Sequence, residues 1–149
     1  MKQRIYLDTS VISALHDIRA PERRALTLEF WNRLHEFDVS TSEAAREEIS
    51  NTPDAALRAS MRASLGSVVV IAITDEMRSL ARSYIAAGIF SPTQEIDALH
   101  VAAAVATRHD CLVSWNFKHL VNRRRRGLVN ALNLQLGAAA MDIISPPEI

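Results

Sequence analysis

Short, β-prone apolar segments alternate with longer segments of helical periodicity along the whole chain. Strands are predicted over Arg4–Leu7, Asp38–Thr41, Ser67–Ile73, Cys111–Ser114 and Asp142–Ile144. The segment Ser67–Ile73 is a continuous β-branched run, which predicts a strand buried on both faces. Strands that alternate with helices in this way favour an α/β fold around a parallel sheet.

A predicted helix or pair of helices follows each of the first four strands. These helices run from Thr9 to Leu15, Pro21 to Phe37, Ser42 to Ser50, Asp54 to Leu65, Thr74 to Gly88, Gln94 to Thr107 and Arg123 to Gly137. Within the third of them, Glu43 is interpreted as part of a capping box, because it follows Ser40 by three residues. The helices supply the connections that parallel strands require.

The size and charge of the chain limit its function. With 149 residues it has room for one domain, residues 1–149, and its 17 basic residues balance 17 acidic ones. A neutral chain has no long-range field for a polyanion, so any nucleic-acid contact must come from a local patch. A single cysteine, Cys111, excludes an intrachain disulfide, and no apolar run is long enough to span a membrane. We therefore expect a cytoplasmic protein.

Polar side chains are predicted to gather where the strands end. Asp8 ends the first strand, Asn116 follows the fourth, and Asp97 begins a nearly apolar helical segment. The carboxyl ends of parallel strands form one edge of a sheet, where sites lie in folds of this class. Each residue also has an ordinary structural explanation: Asp8 can cap a helix, Asp97 can be stabilised by the helix dipole and Asn116 can be a turn residue.

Two neighbouring glutamates compete for a place in this group. Glu48 lies on the apolar stripe formed by Ala44, Ala45 and Ile49, whereas Glu47 falls on the solvent side of the same helix. A carboxylate on the stripe that faces the sheet needs a partner or a metal ion. The spacing therefore favours Glu48 as the functional residue.

Carboxylates crowded at one edge repel one another unless a cation offsets them. Hard oxygen ligands, without a Cys or His partner, suit Mg²⁺ or Mn²⁺ better than Zn²⁺. His100, one turn after Asp97, is interpreted as a satisfied core or supporting residue, and Cys111 as a core residue. The pattern predicts a site for a divalent ion that could activate a water near a phosphodiester.

Four motifs together resemble the PIN-domain family, and within it the VapC-like toxins of type II toxin–antitoxin pairs. The motifs are Tyr6–Ile12, Glu47–Ile49, Asp97–Ala102 and Ser114–Leu120, and they occur in the order that the family shows. The resemblance implies an α/β/α sandwich with a central, mainly parallel five-stranded sheet. It also implies RNA cleavage that depends on Mg²⁺ or Mn²⁺, and inhibition by a cognate antitoxin.

The resemblance also assigns roles to individual residues. Asp8, Glu48 and Asp97 match the family's acidic metal ligands and are expected to be catalytic. Asn116 is expected to share the catalytic site, at a position where many members have a further Asp, so a second metal position is in doubt. Two small hydroxyl residues match positions that support the site in the family. They are Thr9 and Ser114.

The only strong basic run is Arg123, Arg124, Arg125 and Arg126. It is interpreted as a contact for RNA phosphates or for an acidic stretch of an antitoxin, the alternative being a solvated helix start. A second copy of the chain is a further candidate partner. Two other functions stay open: a PIN-like binding module with little or no turnover, and a phosphatase-type hydrolase with an Asp nucleophile.

Overall fold

The computed structural model describes residues 1–149 and contains one sheet of five parallel strands. The strands are β1 (Arg4–Leu7), β2 (Asp38–Ser42), β3 (Val69–Ile71), β4 (Cys111–Val113) and β5 (Asp142–Ile144). They lie in the order β3-β2-β1-β4-β5, and every neighbouring pair is parallel. The predicted α/β fold with a five-stranded sheet is confirmed, and the sheet is parallel throughout.

Seven α-helices connect and cover the strands. They are α1 (Thr9–Ala14), α2 (Pro21–Trp31), α3 (Glu43–Ser50), α4 (Ala55–Ser64), α5 (Asp75–Ala86), α6 (Glu95–Ala106) and α7 (Arg123–Leu136). The apolar helix α6 is the most deeply buried, with every residue from 98 to 105 buried. No helix combines the length and the apolar character that crossing a bilayer requires.

Alternation along β1 divides the core between the two faces of the sheet. Ile5 and Leu7 pack on one face with Val11 of α1 and Phe30 of α2. Tyr6 points to the other face, where it joins the apolar side chains of α5, α6 and α7. This division follows from the two-residue period of a strand and gives the three layers of an α/β/α sandwich.

The order of the strands determines where a site can form. The chain moves outward from β1 to β2 and β3, then crosses back to β4 on the other side of β1. Strand order therefore reverses between β1 and β4, and parallel α/β sheets form a crevice beyond the carboxyl ends of the strands at such a point. Asp8 directly follows β1 and Ser114 directly follows β4, so both lie at this crevice.

The strand predicted over Ser67–Ile73 is shorter and less buried than expected. Only Val69–Ile71 is a strand, it pairs with β2 alone, and Val69 is 58% exposed. The prediction of burial on both faces is wrong, because a β-branched run reports β-propensity and not whether a strand is central or at an edge. The segment forms an edge of the sheet.

Two helix predictions also need correction. The helix predicted to run from Pro21 to Phe37 ends at Trp31, and Phe37 is already extended as the chain turns into β2. The apolar spacing continues past the end of the helix because the turn keeps the side chains of Leu34 and Phe37 against the core.

The capping box predicted for Glu43 is absent. Ser42 caps α3 by accepting a hydrogen bond from the N–H of Ala44. Glu43 instead pairs with Arg46, with 2.7 Å between Oε1 and Nη1. The chain stays in β2 through Ser42, so Ser40 lies inside the strand and cannot cap the helix.

Candidate active site

A cavity of about 320 Å³ opens at the carboxyl edge of the sheet, beside the point where strand order reverses. It brings together all four residues that the sequence nominates for the site: Asp8, Glu48, Asp97 and Asn116. The remaining lining residues are Thr9, Ser10, Ser13, Thr52, Leu57, Met61 and His100. Only Leu57 and Met61 are apolar, so this cavity suits a polar or charged ligand.

Asp8 both caps α1 and lines the cavity. Its Oδ1 accepts hydrogen bonds from the N–H of Ser10 (3.1 Å) and from Ser10 Oγ (2.5 Å). Its Oδ2 accepts one from Ser114 Oγ at 2.7 Å, which links the ends of β1 and β4. Burial raises the pKa of Asp8, while the nearby charge of His100 and the two serine hydroxyls oppose that shift.

Glu48 is held at one oxygen by two side chains. Its Oε1 accepts a hydrogen bond from Thr9 Oγ1 at 2.6 Å and lies 2.6 Å from Nε2 of the buried His100. Its Oε2 has no hydrogen-bond partner within the chain, and the neighbouring Glu47 is exposed to solvent. Burial raises the pKa of Glu48, but the hydrogen bond and charge of His100, with Thr9, outweigh it, so the pKa lies below its usual value.

His100 connects the cavity to the core through a chain of hydrogen bonds. Its Nδ1 lies 2.7 Å from the Tyr6 hydroxyl, which in turn lies 2.7 Å from Ser42 Oγ. Burial lowers the pKa of His100. The hydrogen bond and the charge of Glu48 raise it by more than burial lowers it, so the pKa lies above its usual value. A buried imidazole fixed at both nitrogens holds Glu48 in one orientation.

Asp97 is the least restrained of the acids. It lies in the first turn of α6, half-buried at the cavity, and no side chain or backbone group of the chain donates a hydrogen bond to it. Burial raises its pKa, and the charges of His100 and His119 oppose that shift. Its carboxylate is therefore free to bind a ligand.

Asn116 is a turn residue that also lines the cavity. Its Oδ1 accepts a hydrogen bond from the N–H of His119 at 2.9 Å, and its own N–H donates to Ser114 Oγ at 2.9 Å. A backbone N–H can only donate, so the carbonyl oxygen of the amide must face it. The Nδ2 group, which makes no hydrogen bond within the chain, is what Asn116 can offer to a ligand.

The donor atoms suit a hard divalent cation, but they are not gathered into a closed shell. Carboxylate oxygens are the ligands that Mg²⁺ and Mn²⁺ prefer. No three of the His, Cys, Asp and Glu side chains are close enough together to hold one ion as they stand. Asp97 and Oε2 of Glu48 are free, whereas both oxygens of Asp8 accept hydrogen bonds. Oδ2 of Asp8 accepts only the bond from Ser114 Oγ, so its second lone pair can bind an ion while the serine stays in place.

The basic run divides into two structural and two free arginines. Arg126 donates to Asp142 Oδ1 and to the Ile143 carbonyl, both at 3.0 Å, so it fastens α7 to β5. Arg125 lies over the Phe90 ring, 4.4 Å from its centroid. Arg123 and Arg124 are exposed and form no ion pair. Arg123 and Arg124 are therefore the two arginines of the run without a partner in the chain.

Some residues of the site carry no clear mark in the sequence. Ser10 Oγ donates a hydrogen bond to Asp8 and accepts one from the N–H of Trp115, yet the sequence alone indicates only an ordinary helix cap. The sequence places Tyr6 in a strand and at the start of a family motif, but gives it no role in the site. Its hydrogen bond to His100 joins residues 94 positions apart, which no local pattern reveals. Cys111 is a core residue, as predicted, and burial raises the pKa of its thiol to about 12.

No protein-family model and no curated protein matches the sequence. The fold, in contrast, matches solved structures. The sarcin–ricin loop cleaving toxin VapC20 of Mycobacterium tuberculosis is 16% identical, with a TM-score of 0.57 over 77% of this chain and 92% of that chain. VapBC2 from Rickettsia felis, bound to a DNA fragment from its promoter, is 12% identical, with a TM-score of 0.60 over 95% and 98% of the chains. The likeness confirms the VapC-like fold.

Proposed function

We propose that this protein is a divalent-metal-dependent endoribonuclease and the toxin of a type II toxin–antitoxin pair. One observation carries the proposal. Three carboxylates from three separate elements line one polar cavity where strand order reverses, in a fold shared with VapC proteins. Acids in such a position cost stability, which is expected of a site retained for chemistry.

The chain's own residues have distinct parts in the proposed reaction. Asp8, Glu48 and Asp97 would hold Mg²⁺ or Mn²⁺, which when bound supplies an activated water and offsets charge on the phosphodiester. His100 and Thr9 keep Glu48 oriented through its Oε1. Ser10 and Ser114 do the same for Asp8 through the hydrogen bonds that their hydroxyls donate.

Asn116 contributes a donor to the same cavity. Its Nδ2 group is suited to a non-bridging phosphate oxygen, because its carbonyl oxygen is already used by the N–H of His119. With three acids and an amide, the site balances one divalent ion better than two. A second ion, if one takes part, would arrive with the phosphate of the substrate.

The proposed partners are an RNA substrate and a cognate antitoxin. The solved VapBC2 structure supports the antitoxin as a partner by analogy of fold. The exposed, unpaired Arg123 and Arg124 offer positive charge for an acidic stretch of such a partner or for RNA phosphates.

A binding module with little turnover is the second candidate. It is favoured by the absence of a ready-made group of three metal ligands and by the turn role of Asn116. Such a protein would bind RNA or a partner through the same fold, but its affinity and its effect on RNA would not depend on a divalent ion.

Cleavage of RNA by the purified protein, with Mg²⁺ and then with EDTA, separates the two candidates. We expect cleavage with Mg²⁺ that EDTA stops, and that Glu48→Gln abolishes. Glu47→Gln is the matched control, because Glu47 is the adjacent, exposed residue of the same helix, and it should cleave like the wild type. Binding of RNA without Mg²⁺-dependent cleavage would support the binding module.

A further inference from the structure

An aromatic ring stands exposed beside the candidate active site. Phe117 is 48% exposed and directly follows Asn116, which lines the cavity. Its ring lies 6.1 Å from that of Trp115 in an edge-on arrangement, and the Arg23 guanidinium lies over it at 6.0 Å. Lys118, the next residue, is also exposed. The ring is thus flanked by positive charge.

Trp115 provides a rigid support for this ring. It is only 8% exposed, its Nε1 donates to Thr27 Oγ1 at 2.9 Å, and its backbone N–H donates to Ser10 Oγ at 2.9 Å. Ser10 in turn bonds to Asp8 at the cavity. These bonds hold Trp115 at a fixed position relative to Asp8, and the Phe117 ring packs edge-on against Trp115.

Arg23 adds a free charge to the same surface. Its guanidinium lies 4.9 Å from the Trp115 ring centroid, and it forms no ion pair with a carboxylate of the chain. A second Arg–Phe pair differs in this respect. Arg33 lies 5.6 Å over Phe37, but it pairs with Glu36 at 2.7 Å, and Phe37 packs against the core at the other end of the sheet.

We propose that Phe117 and Arg23 form a platform on which an unpaired base of single-stranded RNA stacks while the adjoining phosphate lies in the cavity. The proposal rests on the proposed ribonuclease function. An exposed aromatic face binds any base, and neighbouring cations bind the phosphates, which is how single strands are held without sequence reading. A base inside a duplex has no free face, so the platform selects unpaired segments.

The test measures the affinity of the purified protein for a short, fluorescein-labelled single-stranded RNA in EDTA, by fluorescence anisotropy. Phe117→Leu keeps the apolar character and removes the aromatic face, so binding should weaken by roughly 5- to 100-fold, as expected for one lost stacking contact. Phe117→Tyr should bind within about twofold of the wild type, because the ring remains. Phe37→Leu is the matched control and should bind like the wild type.

A blunt-ended duplex RNA of the same length gives the second arm. Phe117→Leu should leave its affinity unchanged, because no base is free to stack. Equal weakening for both RNAs would overturn the platform. If Phe117→Leu lowers the melting temperature, Phe117→Gln decides instead, since it removes the ring from an exposed position and should weaken single-strand binding in the same selective way.

The outcomes separate the platform from the ribonuclease function. Unchanged single-strand affinity of Phe117→Leu, with Mg²⁺-dependent cleavage intact in the wild type, would overturn the platform alone. A wild-type protein that neither binds nor cleaves RNA would overturn the ribonuclease function, and the platform with it.

Discussion

The two edges of the sheet differ in whether their charged side chains are paired within the chain. At the amino edge, Nε of Arg4 lies 3.4 Å from Oδ2 of Asp38, and the backbone N–H of Arg4 donates to Oδ2 of Asp110 at 2.7 Å. At the carboxyl edge, Asp8, Glu48 and Asp97 share one cavity, and the nearest counter-charge in contact is the imidazole of His100. The amino edge is balanced within the chain, whereas the carboxyl edge keeps a surplus of negative charge that a ligand can offset.

The buried histidines at the two edges also differ in their hydrogen-bond partners. His100 and His109 both pack edge-on against Tyr6, with ring centroids 5.7 and 5.8 Å away. His100, at the carboxyl edge, uses both ring nitrogens in hydrogen bonds. His109, at the amino edge, bonds to Thr107 Oγ1 through Nδ1, but its buried Nε2 has no partner. One imidazole contacts a carboxylate, which stabilises its charged form, whereas the other contacts none.

Removing one acid of the cavity should have the largest effect. Asp97→Asn should lower RNA cleavage by about 100-fold or more, because it removes a metal ligand and with it the stabilisation of developing charge. Its melting temperature in EDTA should stay equal or rise, since clustered like charges destabilise the free protein. Glu95→Gln, an exposed acid in the same turn of α6, is the control and should change neither value.

Breaking one polar pair at each edge should have very different costs. His100→Ala leaves a cavity and two groups without a partner, the Tyr6 hydroxyl and Glu48 Oε1, and should lower the free energy of unfolding by about 2–4 kcal/mol. Asp38→Asn breaks an ion pair between two exposed side chains and should cost less than about 1 kcal/mol. Urea denaturation of both variants measures the difference. Similar losses would show that His100 has no special role in holding Glu48.

The histidine at the amino edge should make the protein sensitive to acid. Burial and the charge of Arg4 hold the pKa of His109 below its ordinary value of 6.5. Below pH 6.5 the unfolded chain therefore binds a proton that the folded protein resists, and stability falls as the pH falls.

His109→Phe keeps the aromatic contact with Tyr6 and removes the titration. Its melting temperature should fall by a few degrees less than that of the wild type on acidification below pH 6.5. His35→Gln, at an exposed histidine, should follow the wild type. A wild-type profile retained in His109→Phe would assign the acid sensitivity to another group.

Asn116→Asp should produce the smallest effect. The substitution can keep the hydrogen bond from the N–H of His119 and put a carboxylate oxygen in place of Nδ2. An added charge in the same cavity should tighten Mn²⁺ binding by roughly tenfold or less. Calorimetric titration of the metal-free protein measures this, and we expect at most one ion on the wild type. Two tightly bound ions on the wild type, or an unchanged affinity in the variant, would exclude Asn116 from the metal site.

Local sequence patterns were sufficient to predict the architecture and to identify the acids as candidate site residues. The end of β1 at Asp8, the apolar stripe beside Glu48 and the apolar segment after Asp97 are each visible within about one or two helical turns. The alternation of strands and helices then brings these positions to one edge.

Features that depend on distant contacts could not be predicted. Strand β3 is at the edge of the sheet because of the strand order, which its own β-branched sequence does not encode. The contact between His100 and Glu48 joins residues 52 positions apart, and the orientation of the Asn116 amide depends on a turn with His119. Spacing nominated the residues, but only the packed structure gives their hydrogen-bond partners.

We expect the acids at the carboxyl edge, and not those at the amino edge, to bind a divalent cation. The most direct test is the melting temperature of the wild type, Asp97→Asn and Asp110→Asn, each with EDTA and with MnCl₂. Binding to the folded state alone raises the melting temperature. We predict that Mn²⁺ raises it for the wild type and Asp110→Asn but not for Asp97→Asn. No rise in the wild type, or an equal rise in all three proteins, would contradict the claim.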